Sequence, residues 1–279
     1  MWLRSFVAGL AFAAIGIGTA CAARKPGDPL KPGFNVYSKQ QDVELGRQVS
    51  VEVEKQVVLV RDGELQSYIA GLGRSLARHD RTGGFPYSFK MVHEDSINAF
   101  ALPGGPIYVH TGLVKAVENE GQLAGVLAHE IGHVALRHST NQASKANLIG
   151  LPAAMAAAVI GQGSAGAQAG QIGLGLGVNT VLLKYSRDAE RQSDAYGARL
   201  MSEAGYNPLE MARFFEKLQE QGGSRAPQFL SSHPEPGGRS EAVEAEIRTM
   251  PRRSYGSGTG QLSGMQRRIE RLPAPKQRR

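Results

Sequence analysis

The chain has a single cysteine, Cys21, and therefore no intrachain disulfide. It has no apolar run long enough for a comfortable membrane span, which needs about 20 residues. Phe6 to Ile17 is too short, Leu148 to Gly161 is short and contains Pro152, and Ile172 to Leu183 is shorter still. It has almost no net charge outside its last stretch. From Pro251 to Arg279 eight Lys and Arg residues face one acid, Glu270, which accounts for the formal charge of +7. A folded part without a broad basic face argues against nucleic acid as a partner. A solvated basic tail suits anionic lipid or acidic partners instead. With 41% hydrophobic residues among 279, what remains is one sizeable core with appendages.

The N-terminus reads as an export signal. Arg4 supplies a charge, Phe6 to Ile17 an apolar core, and Gly18-Thr19-Ala20 small residues before Cys21. Cys21 stands where a bacterial lipoprotein carries its acylated cysteine, although Gly18 occupies the place where Leu is usual. Ala20-Cys21-Ala22 also fits simple cleavage, which would give a soluble periplasmic protein. The lipoprotein is the favoured reading, because the one cysteine falls at this place. The expected plan is a signal peptide over 1–20, a linker after the lipid anchor over 21–37, a catalytic domain over 38–250 and a basic disordered tail over 251–279. The product sits in the periplasm, held to a membrane by a lipid on Cys21.

Within 38–60 and 62–79 apolar residues recur at helical spacing (Val43, Val49, Val53; Leu65, Ile69, Leu72, Leu76), which predicts two helices. Phe85 to His93 alternates and predicts a strand. Asn98 to His110 reads as a hairpin whose turn is Pro103-Gly104-Gly105-Pro106. In a peptidase, an edge strand of this hairpin beside the metal would bind extended substrate by strand addition. The alternative is an ordinary hairpin packed on the core. Residues 146–183 carry no charge and read as two short helices or a Gly-rich flap, not a membrane hairpin.

The chemistry lies in His129-Glu130-Ile131-Gly132-His133. On a helix, residues four apart share a face, so the two imidazoles can bind one Zn²⁺ per chain. Glu130 then lies beside the metal, where it can take a proton from water. Asn119 is a plausible N-cap, with Gln122 as its capping-box partner. A catalytic zinc needs a third protein ligand. A histidine three turns on is excluded, since Leu136 and Ser139 stand where Gly and His are required and His138 is one position off. A later helix, about Asn179 to Ala204, supplies Glu190 as ligand. Asp194, four residues on, would accept the free N–H of His129 and fix its tautomer.

H-E-I-G-H, the later E-x-x-x-D and the upstream N-A-F-A-L-P-G-G together resemble the HtpX-like and CAAX-prenyl-protease-related zinc metallopeptidases, in particular their periplasmic outer-membrane branch. The resemblance covers roughly Gln40 to Met250. It implies an α+β, mainly α-helical, gluzincin-like fold with a small antiparallel hairpin or sheet beside the active-site helix. It implies Asn98 to Ala101 as the substrate-side strand. It also implies that His233, in Ser231-Ser232-His233-Pro234, approaches and gates the metal, with Arg239 following as a further catalytic residue. No helix-pair repeat array follows the catalytic unit, so the likeness does not extend to substrate delivery by such repeats. The expected function is a zinc metalloendopeptidase that cleaves misfolded or misassembled envelope proteins. Its partners would be unfolded envelope polypeptides and the outer-membrane assembly machinery. A chaperone-like assembly factor with little proteolysis is the second reading.

Overall fold

The computed structural model describes residues 24–146, 185–220, 227–234 and 238–274. The signal peptide, Cys21 and nearly all of the uncharged 146–183 segment lie outside the described residues. Among the described residues no helix is long and apolar enough to cross a membrane.

One helix organises the rest. α4 (Glu120–Ala135) is buried at every position. Its residues are apolar or small nearly all round, which suits a helix surrounded by others rather than one lying on a surface. Asn119 caps it, its side chain accepting from the Gln122 N–H. The Gln122 side chain accepts from Glu118, one residue before the cap, so the reciprocal half of the expected capping box is displaced by one position. Earlier in the chain lie α1 (Lys39–Gln56), α2 (Gly63–Ala77) and α3 (Thr111–Ala116). Residues 138–146 are helical. Later come α5 (Arg187–Glu203), α6 (Leu209–Glu220), α7 (Gln228–Ser232), α8 (Arg239–Ile247) and α9 (Leu262–Glu270).

α5 crosses α4 at close range because both carry glycine at the crossing. A Cβ on Gly132 would sit 3.1 Å from Ser193 Cα, and one on Gly197 would sit 3.1 Å from the His129 backbone nitrogen. Ser186 caps α5 by accepting from the Ala189 N–H, which places Glu190 in the first turn. The partial positive charge of that helix end favours an ionised carboxylate there.

β1 (Ser88–Val92), β2 (Ala99–Ala101) and β3 (Pro106–His110) form one sheet in the order β1-β3-β2. β2 and β3 make the expected antiparallel hairpin, and Gly104 and Gly105 take the positive φ values of its turn, 74° and 129°. β1 pairs with β3 in parallel, so the sheet is mixed rather than purely antiparallel. The β1 edge is closed by residues 58–60, where Val60 N–H donates to Met91 O and His93 N–H to Val58 O. This pairing also ends α1 before Val57, earlier than its apolar spacing suggests. The other edge, β2, packs over α4 and pairs with no second strand among the described residues.

The tail departs from expectation. Residues 251–274 lie on the domain, and α9 buries Leu262 and Ile269 against the core. Arg268 pairs with Asp62 at 2.5 Å and with Glu64 at 2.8 Å. The reason is a stripe of Leu262, Met265, Ile269 and Leu272 at helical spacing, hidden in a Gly/Ser/Arg-rich composition. The linker is likewise fastened. Arg24 binds Glu246 at 2.8 Å, and residues 34–36 hydrogen-bond to Thr140, Asn141 and Ser144.

Candidate metal centre

His129 and His133 project from successive turns of α4, and their Nε2 atoms stand 3.0 Å apart. Glu190, from the first turn of α5, places Oε2 3.3 Å from His129 Nε2 and Oε1 3.4 Å from His133 Nε2. His233, at the end of α7, places Nδ1 3.2 Å from His129 Nε2 and 3.3 Å from Glu190 Oε1. All four side chains are buried. Their donor atoms lie within 4.8 Å of one another. Four N and O donors held about 2.0–2.1 Å from a common tetrahedral centre would stand about 3.3–3.4 Å apart. The spacings among His129, His133 and Glu190 therefore fit a metal ion.

The groups behind these ligands fix their direction. His129 Nδ1 donates to Asp194 Oδ1 at 2.9 Å. Arg239 lies behind the two carboxylates, with Nη2 3.1 Å from Glu190 Oε2 and Nε 2.8 Å from Asp194 Oδ2, its guanidinium 4.2 Å from the Phe215 ring centroid. His233 is held by its segment: Phe229 stacks on its ring at 4.3 Å, Phe229 N–H donates to Ile97 O, and Tyr185 N–H donates to Ser232 O.

Charge follows from this packing. Burial opposes the charged form of His129, but Glu190 and Asp194 overcome it and push the pKa up to about 9. Burial holds His133 neutral, well below the usual imidazole range. Burial also opposes ionisation of Glu190, yet His233 and His129 hold its carboxyl well below the usual carboxylate range. Without an ion, then, a proton on His129 sits where positive charge is needed. Glu130 differs. Burial raises its carboxyl against the pull of His233 and His129 and of the Ala101 backbone N–H. His233 Nε2 stands 3.3 Å from its Oε1.

The structure thus brings together His129, Glu130, His133, Glu190, Asp194, His233 and Arg239. Ala99, Phe100 and Ala101 form β2 and Asn98 precedes it, buried, with its Oδ1 making no hydrogen bond among the described residues. Two neighbours of His133 have places that the sequence spacing does not show: Tyr185, and His138, which the spacing offers only as a third ligand out of register. Tyr185 stacks on the His133 ring at 3.8 Å and bonds Ser139 through its hydroxyl at 2.9 Å. Its signal is an aromatic residue directly before the cap of the Glu190 helix. His138 places Nδ1 3.0 Å from His133 Nδ1, and burial pushes its pKa down to about 4.

Comparison with known proteins agrees with this geometry. Residues 60–247 match the model of peptidase family M48. The chain is 31% identical over 202 residues to the β-barrel assembly-enhancing protease of Escherichia coli (strain K12), covering 70% of this chain and 42% of that protein. It is 31% identical over 166 residues to the metalloprotease YcaL of the same organism, covering 59% of this chain and 63% of YcaL. It is 32% identical over 156 residues to the mitochondrial metalloendopeptidase OMA1 of Arabidopsis thaliana, covering 54% and 30%. The chain thus spans less than half the length of the assembly-enhancing relative.

Proposed function

The chain belongs to peptidase family M48, and from that premise we propose that it is a zinc-dependent metalloendopeptidase of the bacterial envelope, acting on unfolded or misassembled polypeptides. The observation that carries this reading is the juxtaposition of four converging donors with a buried carboxylate beside them, Glu130. Imidazole and carboxylate donors at tetrahedral spacing suit Zn²⁺. His129, His133 and Glu190 would hold it. A bound Zn²⁺ supplies Lewis acidity at the peptide carbonyl and makes water nucleophilic near neutral pH. Glu130 takes the proton of the attacking water and passes it to the leaving amine. Asp194 fixes the tautomer of His129, and Arg239 positions both Glu190 and Asp194 rather than touching the reacting atoms. β2 receives an extended substrate at its open edge, with Asn98 at its start. His233 fills a fourth donor place in the described conformation, so it must withdraw for substrate to enter.

The N-terminal sequence supports export and a lipid on Cys21, with the mature protein on the periplasmic side of the outer membrane. The name of the E. coli relative, β-barrel assembly-enhancing protease, supports envelope polypeptides and their assembly machinery as partners. The closed donor set favours one further reading, an assembly factor that binds unfolded chains and seldom cuts. A single experiment separates the readings. Purified full-length protein and Glu130→Gln are assayed for bound zinc and for cleavage of an unfolded outer-membrane β-barrel protein. The peptidase reading expects both to hold one zinc and only the wild type to cut. A wild type without zinc, or cleavage by Glu130→Gln at the wild-type rate, overturns it. Mass spectrometry of the mature N-terminus tests the anchor, and an unmodified terminus would dismiss it.

A further inference from the structure

Each metal-facing imidazole on α4 has a second nitrogen that points away from the centre. That of His129 meets a carboxylate, Asp194, at 2.9 Å. That of His133 meets a second imidazole, His138 Nδ1, at 3.0 Å. We propose that His138 is a positioning residue for His133, accepting its Nδ1–H and so aiming its Nε2 at the metal. The inference rests on the metallopeptidase reading and deepens it.

Three observations carry it. The first is chemical. With Nε2 of His133 turned to the centre, its ring proton lies on Nδ1 and needs an acceptor. His138 Nδ1 stands within bonding distance of that nitrogen, at the place where His129 meets a carboxylate. The second is the backbone that brings His138 there. α4 ends at Leu136, and Arg137 takes φ 58°, the one non-glycine residue with positive φ among the described residues. That conformation is strained for a residue with a side chain. It is fastened by Arg137 itself, whose Nε and Nη2 donate to Asp42 at 2.6 and 3.0 Å and whose Nη2 also donates to Tyr37 O at 2.6 Å. The turn folds the chain back so that His138 lies against the ligand five residues earlier. The third is the ring's other polar contacts. If Nδ1 accepts, the ring proton of neutral His138 lies on Nε2, which is buried. The Gln192 side chain bonds the His138 ring, and Ser193 Oγ, 3.3 Å away, lies on the Nδ1 side. An apolar residue would fill this space without offering Nδ1 to His133 or a ring proton to Gln192, so packing alone does not account for a histidine here.

The two ligands would then be tuned differently, His129 by an anion and His133 by a neutral ring. The test uses the full chain with Zn²⁺ in competition with a chelator. His138→Leu removes the acceptor, and His138→Asn restores an oxygen near the place of Nδ1. The expected result is zinc binding weakened about 10–100-fold in the Leu variant, the usual effect of losing such a partner, and recovery to within about threefold in Asn. Melting of the metal-free Leu variant should be no lower than that of wild type. Leu binding zinc as wild type does, or Asn failing to recover affinity, overturns the proposal. A measurement on the wild type needs no variant. Nitrogen-15 NMR of the zinc-loaded protein should find the His138 proton on Nε2, and finding it on Nδ1 refutes the inference. A wild type that takes up no zinc sinks the peptidase reading, and this inference with it. Zinc held equally by wild type and Leu sinks this inference alone.

Discussion

Two glutamates on α4, ten residues apart, have opposite surroundings. Glu120, in the first turn, accepts from the hydroxyls of Tyr68 and Tyr206 at 3.1 and 2.8 Å, and from the N–H and hydroxyl of Thr259 at 2.8 and 2.5 Å. Glu130, ten residues on and just as buried, has sparser surroundings: His233 Nε2 at 3.3 Å and the Ala101 backbone N–H, with no side-chain hydroxyl on either oxygen among the described residues. Folding alone accounts for the first. A buried carboxylate with its lone pairs met by donors is a structural tie between distant parts of the chain. Folding accounts less well for the second, because a buried carboxylate with so few donors weakens the native state. The difference separates a group that holds the helix in place from one kept available for a reaction.

The largest effect expected from this contrast is on catalysis. Glu130→Gln should lower kcat/KM by about 10²–10⁴-fold, the range for loss of a general base. It should leave thermal stability equal or higher, because an amide tolerates burial better than a carboxyl with so few donors. A Glu130→Gln protein that melts well below wild type would break the comparison. Next is stability at the other end. Glu120→Ala strands two tyrosine hydroxyls and Thr259, and should cost about 3 kcal/mol or more, read from urea unfolding. Its folded fraction should keep its affinity for zinc. Wild-type stability in Glu120→Ala would remove the structural half of the contrast.

A third effect follows from the charge at the centre. The raised pKa of His129, about 9, means that the metal-free protein carries a proton there at neutral pH. A metal ligand must be neutral, so binding expels that proton. Apparent zinc affinity should therefore fall about tenfold for each unit of pH lowered below about 9, and flatten above it. The sign for the metal-free fold is the reverse. A pKa raised from 6.5 gives stability that is fully present below pH 6.5 and lost as pH rises through about 9. Asp194→Asn removes one of the anions responsible and should move the flattening to lower pH. Affinity that does not change between pH 6 and 8 would show that His129 is neutral without metal.

Much of the centre could be read from short-range pattern. Helical geometry puts His129 and His133 on one face, and the same spacing relates Glu190 to Asp194. What sequence spacing does not contain is how two helices cross, and the close approach at Gly132 and Gly197 is what brings Glu190 to the histidines. His138 was weighed only as a third ligand one position out of register. The left-handed turn at Arg137, tied to Asp42 far upstream, gives it a different place beside His133. The parallel pairing of β1 with β3 is likewise long-range and leaves no mark on either strand. The tail misled for a different reason. Its composition is that of a disordered segment, and its four apolar residues gain their partners only once α2 and α3 are in place.

That tail sharpens the contrast most finely, through Thr259. Its hydroxyl reaches Glu120 from 139 residues away in sequence, across a surface that is partly open to water. Thr259→Val keeps the shape and the backbone N–H bond while removing one donor to a charged acceptor. The expected loss is about 1 kcal/mol, at the low end for such a bond because solvent can reach it. Thr259→Ser keeps the hydroxyl and should stay close to wild type. Neither change should alter zinc affinity, because the site lies near the other end of α4. If Thr259→Val weakens zinc binding without lowering the unfolding midpoint, then the first turn of the helix is coupled to the metal centre. The two glutamates would then belong to one device rather than two. If it lowers the midpoint alone, the helix is held at one end and works at the other.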